Sequence, residues 1–218
     1  MINIQTFTFG PFQENMTILW DDSLECVIID PGMYTSADEK QVVDFIAENK
    51  LIPVKLLNTH CHIDHVMGNR FIADKYELKL HAHRLDIPTL EQSEIAAKMY
   101  ELSYTKSPDI EVFIDENDTI SFGKSEMSIL FTPGHAPGHV VFVNHDQKFV
   151  INGDVLFRGS VGRVDLPGSN PPDLILSIQN QMYKLGDDYE VYCGHGPNTT
   201  IGYEKKNNPF VNENTAGD

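Results

Sequence analysis

The chain has 218 residues, of which 41% are apolar, and this length favours a single domain spanning residues 1–218. It carries 32 acidic and 16 basic residues, and the net charge of −16 argues against a nucleic-acid partner, because neutralising phosphates requires surplus Lys and Arg. No apolar run approaches the roughly 20 residues of a membrane span, and residues 1–10 have no signal-peptide character, so we expect a cytoplasmic protein with no membrane partner.

The first half of the chain predicts strands interrupted by helices. The segments NIQTFTFG, NMTILWD and ECVIID are rich in β-branched and aromatic residues and are separated by turn formers. Apolar residues at helical spacing predict a helix over Asp38–Asn49, after which IPVKLLNTH returns to a strand. A second helix is expected over Asp64–Tyr76. The stretch Leu85–Glu101 is helix-like and is either a helix or a lid or loop insertion over a pocket.

The second half predicts four successive strands, DTISFG, MSILFTPG, HVVFVN and KFVINGD, then a helix over Pro172–Leu185 and a last strand, YEVYCGHG. Polar residues dominate from Gly202 onward, so residues from about 205 to 218 are expected to be a polar tail that ends in the frayed segment NENTAGD. Two mixed sheets packed face to face with helices outside would satisfy this order, which is an α/β (α+β) class. Periodicity alone does not choose this arrangement over other α/β layouts.

Six of the nine histidines lie in three segments, THCHIDH, TPGHAPGHVVF and CGHGP, and an aspartate ends the strand of VINGDVLF. Each segment follows the same pattern, in which an apolar strand and a turn precede a side chain that binds metals. Loops that project from strand ends are where functional sites are commonly built. The candidate residues are His60, His62, His65, His135, His139, Asp154 and His195.

The spacing inside THCHIDH has a physical interpretation. In extended backbone, residues two apart point the same way, so His60 and His62 can reach one ion together. Asp64 and His65 follow where the chain turns into a helix, which aims them at a second position nearby. Imidazole and carboxylate ligands suit zinc, and the absence of clustered thiolates argues against a purely structural site. Asp154 is placed to bridge two ions that share a hydroxide.

The remaining histidines have ordinary interpretations. His81, His83 and His145 are expected to be surface or core residues, as lone histidines usually are. His139 begins the strand HVVFV and either supports the site by fixing the outer nitrogen of a metal-bound histidine or belongs to the core.

The three cysteines are too few and too unevenly spaced for a disulfide framework. Cys26 lies in an apolar strand and is expected to be a buried free thiol. Cys61 and Cys193 each adjoin a histidine and either bind zinc or fill the wall beside the site.

These motifs carry a resemblance to a known family. THCHIDH resembles the T-H-x-H-x-D-H signature of the metallo-β-lactamase superfamily, and TPGHAPGH, NGDVLF and CGHGP follow in the family's order. Within the superfamily, LFRGSVGRVDLPG and GHGPNTTIGYEKKNNPF resemble the glyoxalase II-like hydrolases, which cleave acylglutathione thioesters. The resemblance implies a four-layer αβ/βα sandwich with the metals at one edge.

The resemblance also implies a ligand set and a mechanism. His60, His62 and His135 would hold the first ion, Asp64, His65 and His195 the second, and Asp154 would bridge them. The expected cofactor is two divalent ions, with zinc favoured and iron or manganese as alternatives. Hydroxide between the ions would attack the carbonyl of a small-molecule thioester, and catalytic Asp64 would also orient this nucleophile.

The chain departs from glyoxalase II in two places. The residues after CGHG hold no long apolar pattern, so we expect no counterpart of the C-terminal helical extension that helps to hold glutathione, and GRVD stands where those enzymes place a Lys and a Tyr. Arg163 is expected to bind a substrate carboxylate, since guanidinium pairs with carboxylate in a bidentate fork. Asp165 either holds Arg163 or contacts the substrate.

A second function from another reaction class stays open. Persulfide dioxygenases share several of these segments but use one iron, for which His60, His135 and Asp154 would be the ligands here. Their last histidine segment runs differently from CGHGPNTTIG, which favours a hydrolase. Nuclease members carry an added domain and further histidine motifs, which are not seen in this sequence. β-Lactamases proper are normally exported, whereas residues 1–10 have no signal-peptide character, so neither function is expected. The oligomeric expectation is a monomer or a small homo-oligomer.

Overall fold

The computed structural model describes residues 1–212, and two six-stranded mixed sheets lie at its centre. The first sheet runs in chain order and contains β1 (Asn3–Phe9), β2 (Glu14–Trp20), β3 (Glu25–Ile29), β4 (Ile52–Leu57), β5 (Leu80–Ala82) and β6 (Val112–Phe113). Strands β1 to β3 pair antiparallel, and β3 to β6 pair parallel. The parallel half requires crossovers, which bring α1 and the metal-seeking segment THCHIDH between successive strands.

The second sheet is formed by the rest of the chain. Its strands are β7 (Thr119–Phe122), β8 (Ser125–Phe131), β9 (Val140–Asn144), β10 (Phe149–Gly153), β13 (Glu190–Cys193) and β14 (Thr199–Thr200). They lie in the order β14-β13-β10-β9-β8-β7, and only the β10–β13 pair is parallel. A small hairpin of β11 (Leu156–Phe157) and β12 (Ser160–Val161) follows β10.

Six α-helices accompany the sheets within residues 1–212. They are α1 (Ser36–Glu48), α2 (Ile63–Val66), α3 (Asn69–Tyr76), α4 (Ile87–Met99), α5 (Pro171–Asn180) and α6 (Ile201–Asn207). Helix α1 begins with a capping box, in which the Thr35 hydroxyl accepts from the Asp38 N–H and the Asp38 carboxylate accepts from the Thr35 N–H. Within residues 1–212, no helix is long and apolar enough to cross a bilayer.

The alternation of side chains along β3 shows how the layers form. Val27 and Ile29 face the second sheet and pack with Phe142 and Ile151 between the two sheets. Cys26 and Ile28 of β3 face the other way and pack against α1 and α3, in a cluster that includes Val42, Ile46 and Ile72. On the far side, α5 and α6 cover the outer face of the second sheet. The predicted fold class, two mixed sheets flanked by helices in four layers, is confirmed.

The single helix predicted over Asp64–Tyr76 is wrong, because the chain forms α2 and α3 with a break at Gly68. The N–H of Gly68 donates a 2.6 Å hydrogen bond to the carbonyl of Pro31, and a Cβ at this position would lie 2.7 Å from the same oxygen. This close approach requires glycine and ends α2 after one turn.

Two other boundaries differ from the sequence-based expectations. The helix predicted over Pro172–Leu185 ends at Asn180 and continues as a separate 3-10 turn over Met182–Lys184. The predicted start of the polar tail, at about residue 205, is too early. Lys205 lies inside α6, and Val211 is buried in the cluster beneath α5. Residues 213–218, and with them most of the predicted frayed segment, lie outside the described residues.

Candidate metal centre

All seven predicted metal-binding residues lie together, at the ends of four strands. The segment after β4 carries four of them, and the loops after β8, β10 and β13 carry one each. Their donor atoms form overlapping groups in which all atoms lie within 4.8 Å of one another. The groups are His60, His62 and His135; His60, His65 and Asp154; and Asp64, His65 and His195.

The first cluster consists of three neutral imidazoles. The Nε2 atom of His135 lies 3.2 Å from Nε2 of His60 and 2.9 Å from Nδ1 of His62. Burial lowers the pKa of all three rings, and His135 helps to lower the pKa of His62 to about 3. At neutral pH each ring is therefore uncharged and has one nitrogen with a lone pair that can bind a cation.

The outer nitrogens of this cluster are held by hydrogen-bond acceptors. The hydroxyl of Thr59 donates to Oδ2 of Asp30 at 2.6 Å, so it accepts from Nδ1 of His60 at 3.1 Å. Nδ1 of His135 donates to the carbonyl of Arg163 at 2.8 Å. These bonds place the protons of both rings on the outer nitrogens and leave both Nε2 atoms free to bind a cation.

The second cluster pairs imidazoles with carboxylates. Nε2 of His195 lies 3.2 Å from Oδ2 of Asp64 and 3.4 Å from Oδ2 of Asp154, while its Nδ1 donates to the carbonyl of Phe12 at 3.1 Å. Burial lowers the pKa of His195, but its bonds to Asp154 and Asp64 outweigh this and raise the pKa to about 10. Burial raises the pKa of Asp154, and the neighbouring His65 and His195 outweigh it and lower the pKa well below its usual range.

These residues fit a pair of divalent cations. Nε2 of His60 and Nε2 of His135 converge lone pair to lone pair in the first cluster, which is unfavourable unless a cation or proton lies between them. Oδ1 of Asp154 and Nε2 of His65 are buried and lie 3.5 Å apart, and neither has a hydrogen-bond partner among the described residues. Buried polar atoms are normally paired, so these atoms have the properties of ligands. Nitrogen and carboxylate donors suit zinc, iron or manganese. The assignment of each residue to one ion stays a prediction.

Asp30 and Glu14, which were not predicted from the sequence, lie behind the second cluster. Oδ1 of Asp30 accepts from the Thr59 N–H at 2.8 Å, and Oδ2 lies 3.2 Å from Nδ1 of His65. Glu14 is also buried, 3.8 Å from the same nitrogen, and burial raises the pKa of its carboxyl group. Asp30 could have been found, because it ends the strand ECVIID as Asp154 ends its own strand.

Asp86 is a third residue that the sequence analysis missed, and it joins two of the ligand-bearing loops. Its Oδ2 accepts from the N–H of Cys61 at 2.6 Å, and its Oδ1 accepts from the N–H of Gly138 at 2.9 Å. Burial raises the pKa of Asp86 to about 6. No motif in the sequence distinguishes this aspartate, since the two peptide groups that it binds lie far away in the chain.

The cysteines take no part in these donor groups. All three are buried free thiols, as predicted for Cys26, and Cys61 packs against Val66 and Ala82. Cys193 packs with the core beneath α5. The interpretation of Cys61 and Cys193 as wall-filling residues therefore agrees with the structure.

His139 supports the site, although by a contact that the sequence did not predict. Its Nε2 accepts from the N–H of Asp154 at 3.0 Å, and its ring stacks on His60 with the centroids 4.7 Å apart. The histidines expected to be ordinary residues make other contacts. His81 bonds the carbonyls of Leu56 and Lys79, His83 stacks on Phe131, and His145 bonds Ser128 and Tyr189.

A pocket of about 540 Å³ opens above the two clusters. Asp64, Asp154 and His195 lie at its floor, and Arg163 is one of the residues in its wall. The guanidinium of Arg163 donates to both carboxylate oxygens of Asp165, at 2.7 and 2.8 Å, and lowers the pKa of Asp165 to about 2. Of the two interpretations of Asp165, the structure therefore favours the one in which it holds Arg163.

A profile of the metallo-beta-lactamase superfamily matches residues 9–195 of the chain. The hydroxyacylglutathione hydrolase GloC of Haemophilus influenzae is 34% identical over 218 aligned residues, which cover 97% of this chain and 99% of that protein.

Two solved structures are similar over nearly the whole chain. The BLEG-1 B3 metallo-beta-lactamase has a TM-score of 0.88 and 30% identity, and the match covers 96% of this chain and 99% of that one. TTHA1623, solved in a di-iron-bound form, has a TM-score of 0.86 and 36% identity, with 95% of this chain and 100% of that one covered.

Proposed function

The chain belongs to the metallo-β-lactamase superfamily and is a metal-dependent hydrolase, and we propose that it cleaves thioesters of the acylglutathione type with two metal ions. The observation that carries this proposal is the pair of donor clusters at the floor of one pocket, with Oδ2 of Asp154 3.5 Å from Nε2 of His135 in the first and 3.4 Å from Nε2 of His195 in the second. The similarity to a hydroxyacylglutathione hydrolase over nearly the whole chain supports the choice of substrate.

The chemistry of the proposal is distributed among a few residues. The donor clusters would hold two divalent cations, whose chemistry would be to lower the pKa of water, so that hydroxide exists at neutral pH, and to polarise the carbonyl of the substrate. Asp64 belongs to the second cluster and also lines the pocket, and although burial alone would raise its pKa, His65 and His195 lower it. An ionised Asp64 accepts a hydrogen bond from the attacking water and orients it. The departing thiolate needs little protonation, so no separate general acid is required.

Arg163 is proposed to bind a carboxylate of the substrate at the pocket wall. Its pairing with Asp165 leaves other donor nitrogens of the guanidinium available, because the fork presents five N–H groups. Zinc is the proposed metal, with iron and manganese as alternatives, and TTHA1623 is an example of a similar structure with two irons. The proposal places the enzyme in the cytoplasm, as a monomer or a small homo-oligomer with no nucleic-acid or membrane partner.

A mononuclear iron dioxygenase is the second candidate. Its three expected ligands do lie together, since His135 Nε2 is 3.2 Å from His60 Nε2 and 3.5 Å from Asp154 Oδ2. A single ion at this position would leave Asp64 and His195 without a role, although their donor atoms converge with that of His65 in a second group. This arrangement supports the two-ion hydrolase over the dioxygenase.

The experiment that separates these candidates is an assay of the purified chain loaded with zinc or with iron. Thiol release from S-lactoylglutathione and other acylglutathiones measures hydrolysis, and an oxygen electrode with glutathione persulfide measures the dioxygenase reaction. We expect thiol release with two ions per chain and no oxygen uptake. Oxygen uptake with one iron per chain and no thiol release would refute the hydrolase.

A further inference from the structure

The pocket above the metal centre has an unusual wall, because α4 exposes two large apolar side chains, Ile95 and Met99, in its second half, whereas Leu90 packs against the core. Thr89, Ser93 and Ala97, spaced four residues apart, are the buried residues of this helix. Ile95 and Met99 line the pocket and remain 60% and 75% exposed. A helix that only covered a core would turn its large apolar residues inward. The exposure of Ile95 and Met99 toward the pocket indicates a surface that contacts an apolar ligand there.

Other segments continue this apolar wall. Phe12, in the loop between β1 and β2, lies edge-on to Tyr100 with the ring centroids 5.2 Å apart. Phe157, in β11, lies edge-on to the metal-site residue His195 at 6.1 Å. Leu166 also lines the pocket and follows the β11–β12 hairpin. Side chains from separate parts of the chain therefore surround the space directly above the metal centre.

The charges of the pocket limit what this space can hold. Apart from the residues of the metal centre, Arg163 is the only Lys, Arg, Asp or Glu among the residues that line it, and its guanidinium is already paired with Asp165. The pocket thus offers no surplus cation for a group with several negative charges, and the net charge of −16 adds no attraction. In an acylglutathione the tripeptide is polar and charged, so the acyl group is the only part that can pack against the apolar side chains of the pocket wall.

We propose that the substrates are thioesters with an apolar acyl group, such as a medium-chain or aromatic acyl group, and that Ile95 and Met99 on α4 select for it. This inference rests on the proposed thioester hydrolysis. In the reaction, the hydroxyl of water bonds to the acyl carbon, the carbon–sulfur bond breaks, and the thiol leaves with the remaining proton. Only the acyl group changes between good and poor substrates, so the selectivity lies in binding along the apolar wall.

The first test compares S-acetyl-, S-butanoyl- and S-hexanoylglutathione with S-lactoylglutathione on the metal-loaded enzyme. Each buried methylene contributes at most about fourfold to kcat/KM, equivalent to about 0.8 kcal/mol. Part of the chain stays near solvent, so we expect S-hexanoylglutathione to exceed S-acetylglutathione by at least about tenfold. Equal kcat/KM values along the series would overturn the inference and leave thioester hydrolysis standing.

The second test replaces the two exposed residues in the variant Ile95→Ser/Met99→Ser. The ratio of kcat/KM for hexanoyl to acetyl substrates is expected to fall at least about fivefold. Leu176→Ser on α5 is the matched control, because Leu176 is 52% exposed on a helix and lies outside the pocket lining. The control should keep the wild-type ratio. An unchanged ratio in the double variant would overturn the role assigned to α4.

A binding measurement separates failure of this inference from failure of the proposed function. Isothermal titration of S-hexylglutathione and S-methylglutathione, which are thioethers and are not hydrolysed, reports on the pocket alone. We expect tighter binding of the hexyl compound to the wild type and loss of this difference in the double variant. If no thioester is hydrolysed with two ions bound, the proposed function fails, and equal binding of the two thioethers would then refute the apolar wall as well.

Discussion

The N–H of Asp154 donates a 3.0 Å hydrogen bond to Nε2 of His139. Because Nε2 is an acceptor, the proton of this neutral ring lies on Nδ1, which donates to Thr132 Oγ1 at 3.2 Å. Burial, reinforced by His135, lowers the pKa of His139 and keeps the ring neutral. The bond fixes the backbone of Asp154, whose carboxylate lies between the two donor clusters.

Replacing His139 should therefore weaken the metal centre without removing a ligand. His139→Leu leaves the buried N–H of Asp154 without an acceptor, which costs about 1–3 kcal/mol of unfolding free energy. Loss of an outer hydrogen-bond partner typically lowers metal affinity by about 10- to 100-fold. Urea unfolding of the metal-free chain and a competitive chelator titration measure these effects.

The matched variant is His139→Gln, whose side-chain carbonyl can accept the same hydrogen bond. It should recover part of the lost metal affinity. If His139→Leu binds metal as tightly as the wild type, the positioning role of this histidine is wrong.

Asp86 should matter for stability as well as for the site, because it holds the peptide groups of Cys61 and Gly138. Asp86→Ala leaves both N–H groups unpaired in a buried place, at about 1–3 kcal/mol each. The expected result is a large fall in the midpoint of urea unfolding and a lower metal content after purification.

The control for this variant is Asp44→Ala, which breaks the exposed pair between Lys40 and Asp44. Exposed pairs of this kind contribute within about 0.5 kcal/mol, so the unfolding midpoint should hardly move. Similar midpoints for Asp86→Ala and Asp44→Ala would contradict the view that Asp86 joins the two loops.

The two donor clusters should differ in how metal binding depends on pH. His62, with a pKa of about 3, is already neutral at pH 7, whereas His195, with a pKa of about 10 in the metal-free protein, carries a proton. The first ion should therefore bind without releasing a proton, and the second should release at least one. Affinity for the second ion should rise about tenfold per pH unit between pH 6 and 8 for each proton displaced.

Isothermal titration in two buffers with different ionisation enthalpies counts the protons released at each binding step. Two steps that both release no proton at pH 7, with affinities independent of pH, would show that the second ion does not displace the proton of His195.

Asp64→Ala tests the residue to which we assign orientation of the nucleophile. The variant loses both a donor of the second cluster and the acceptor for water, so kcat should fall by about 10²- to 10³-fold or more. Circular dichroism should show an unchanged fold, since the side chain lies at the pocket floor rather than in the core. Near-normal turnover would refute the assigned role.

Much of the fold follows from local patterns in the sequence. The strands of five or more residues and the helix α1 are all visible as alternating or helical apolar patterns, because burial of one face imposes the period. The short strands β5, β6 and β14 were missed, since pairing with a neighbour rather than any local pattern makes them strands. The break at Gly68 depends on a contact with Pro31 that the local helical pattern does not reveal.

The same division holds for the site. The ligand-bearing loops are recognisable because in each of them an apolar strand and a turn precede a metal-binding side chain. The family resemblance predicts which of these side chains bind the same ion. Three features were not predicted: Asp86, Glu14 and the exposure of Ile95 and Met99 on α4. Each acquires its role from residues far away in the chain. Contacts of this kind become visible only when the two sheets are packed.

Diffraction with anomalous scattering at the metal edge, on crystals of the metal-loaded protein, tests the central claim most directly. The account predicts two ions, one bound by His60, His62 and His135 and the other by Asp64, His65 and His195, with Asp154 between them. A single ion held by His60, His135 and Asp154 alone, or the absence of any ion from this place, would contradict it.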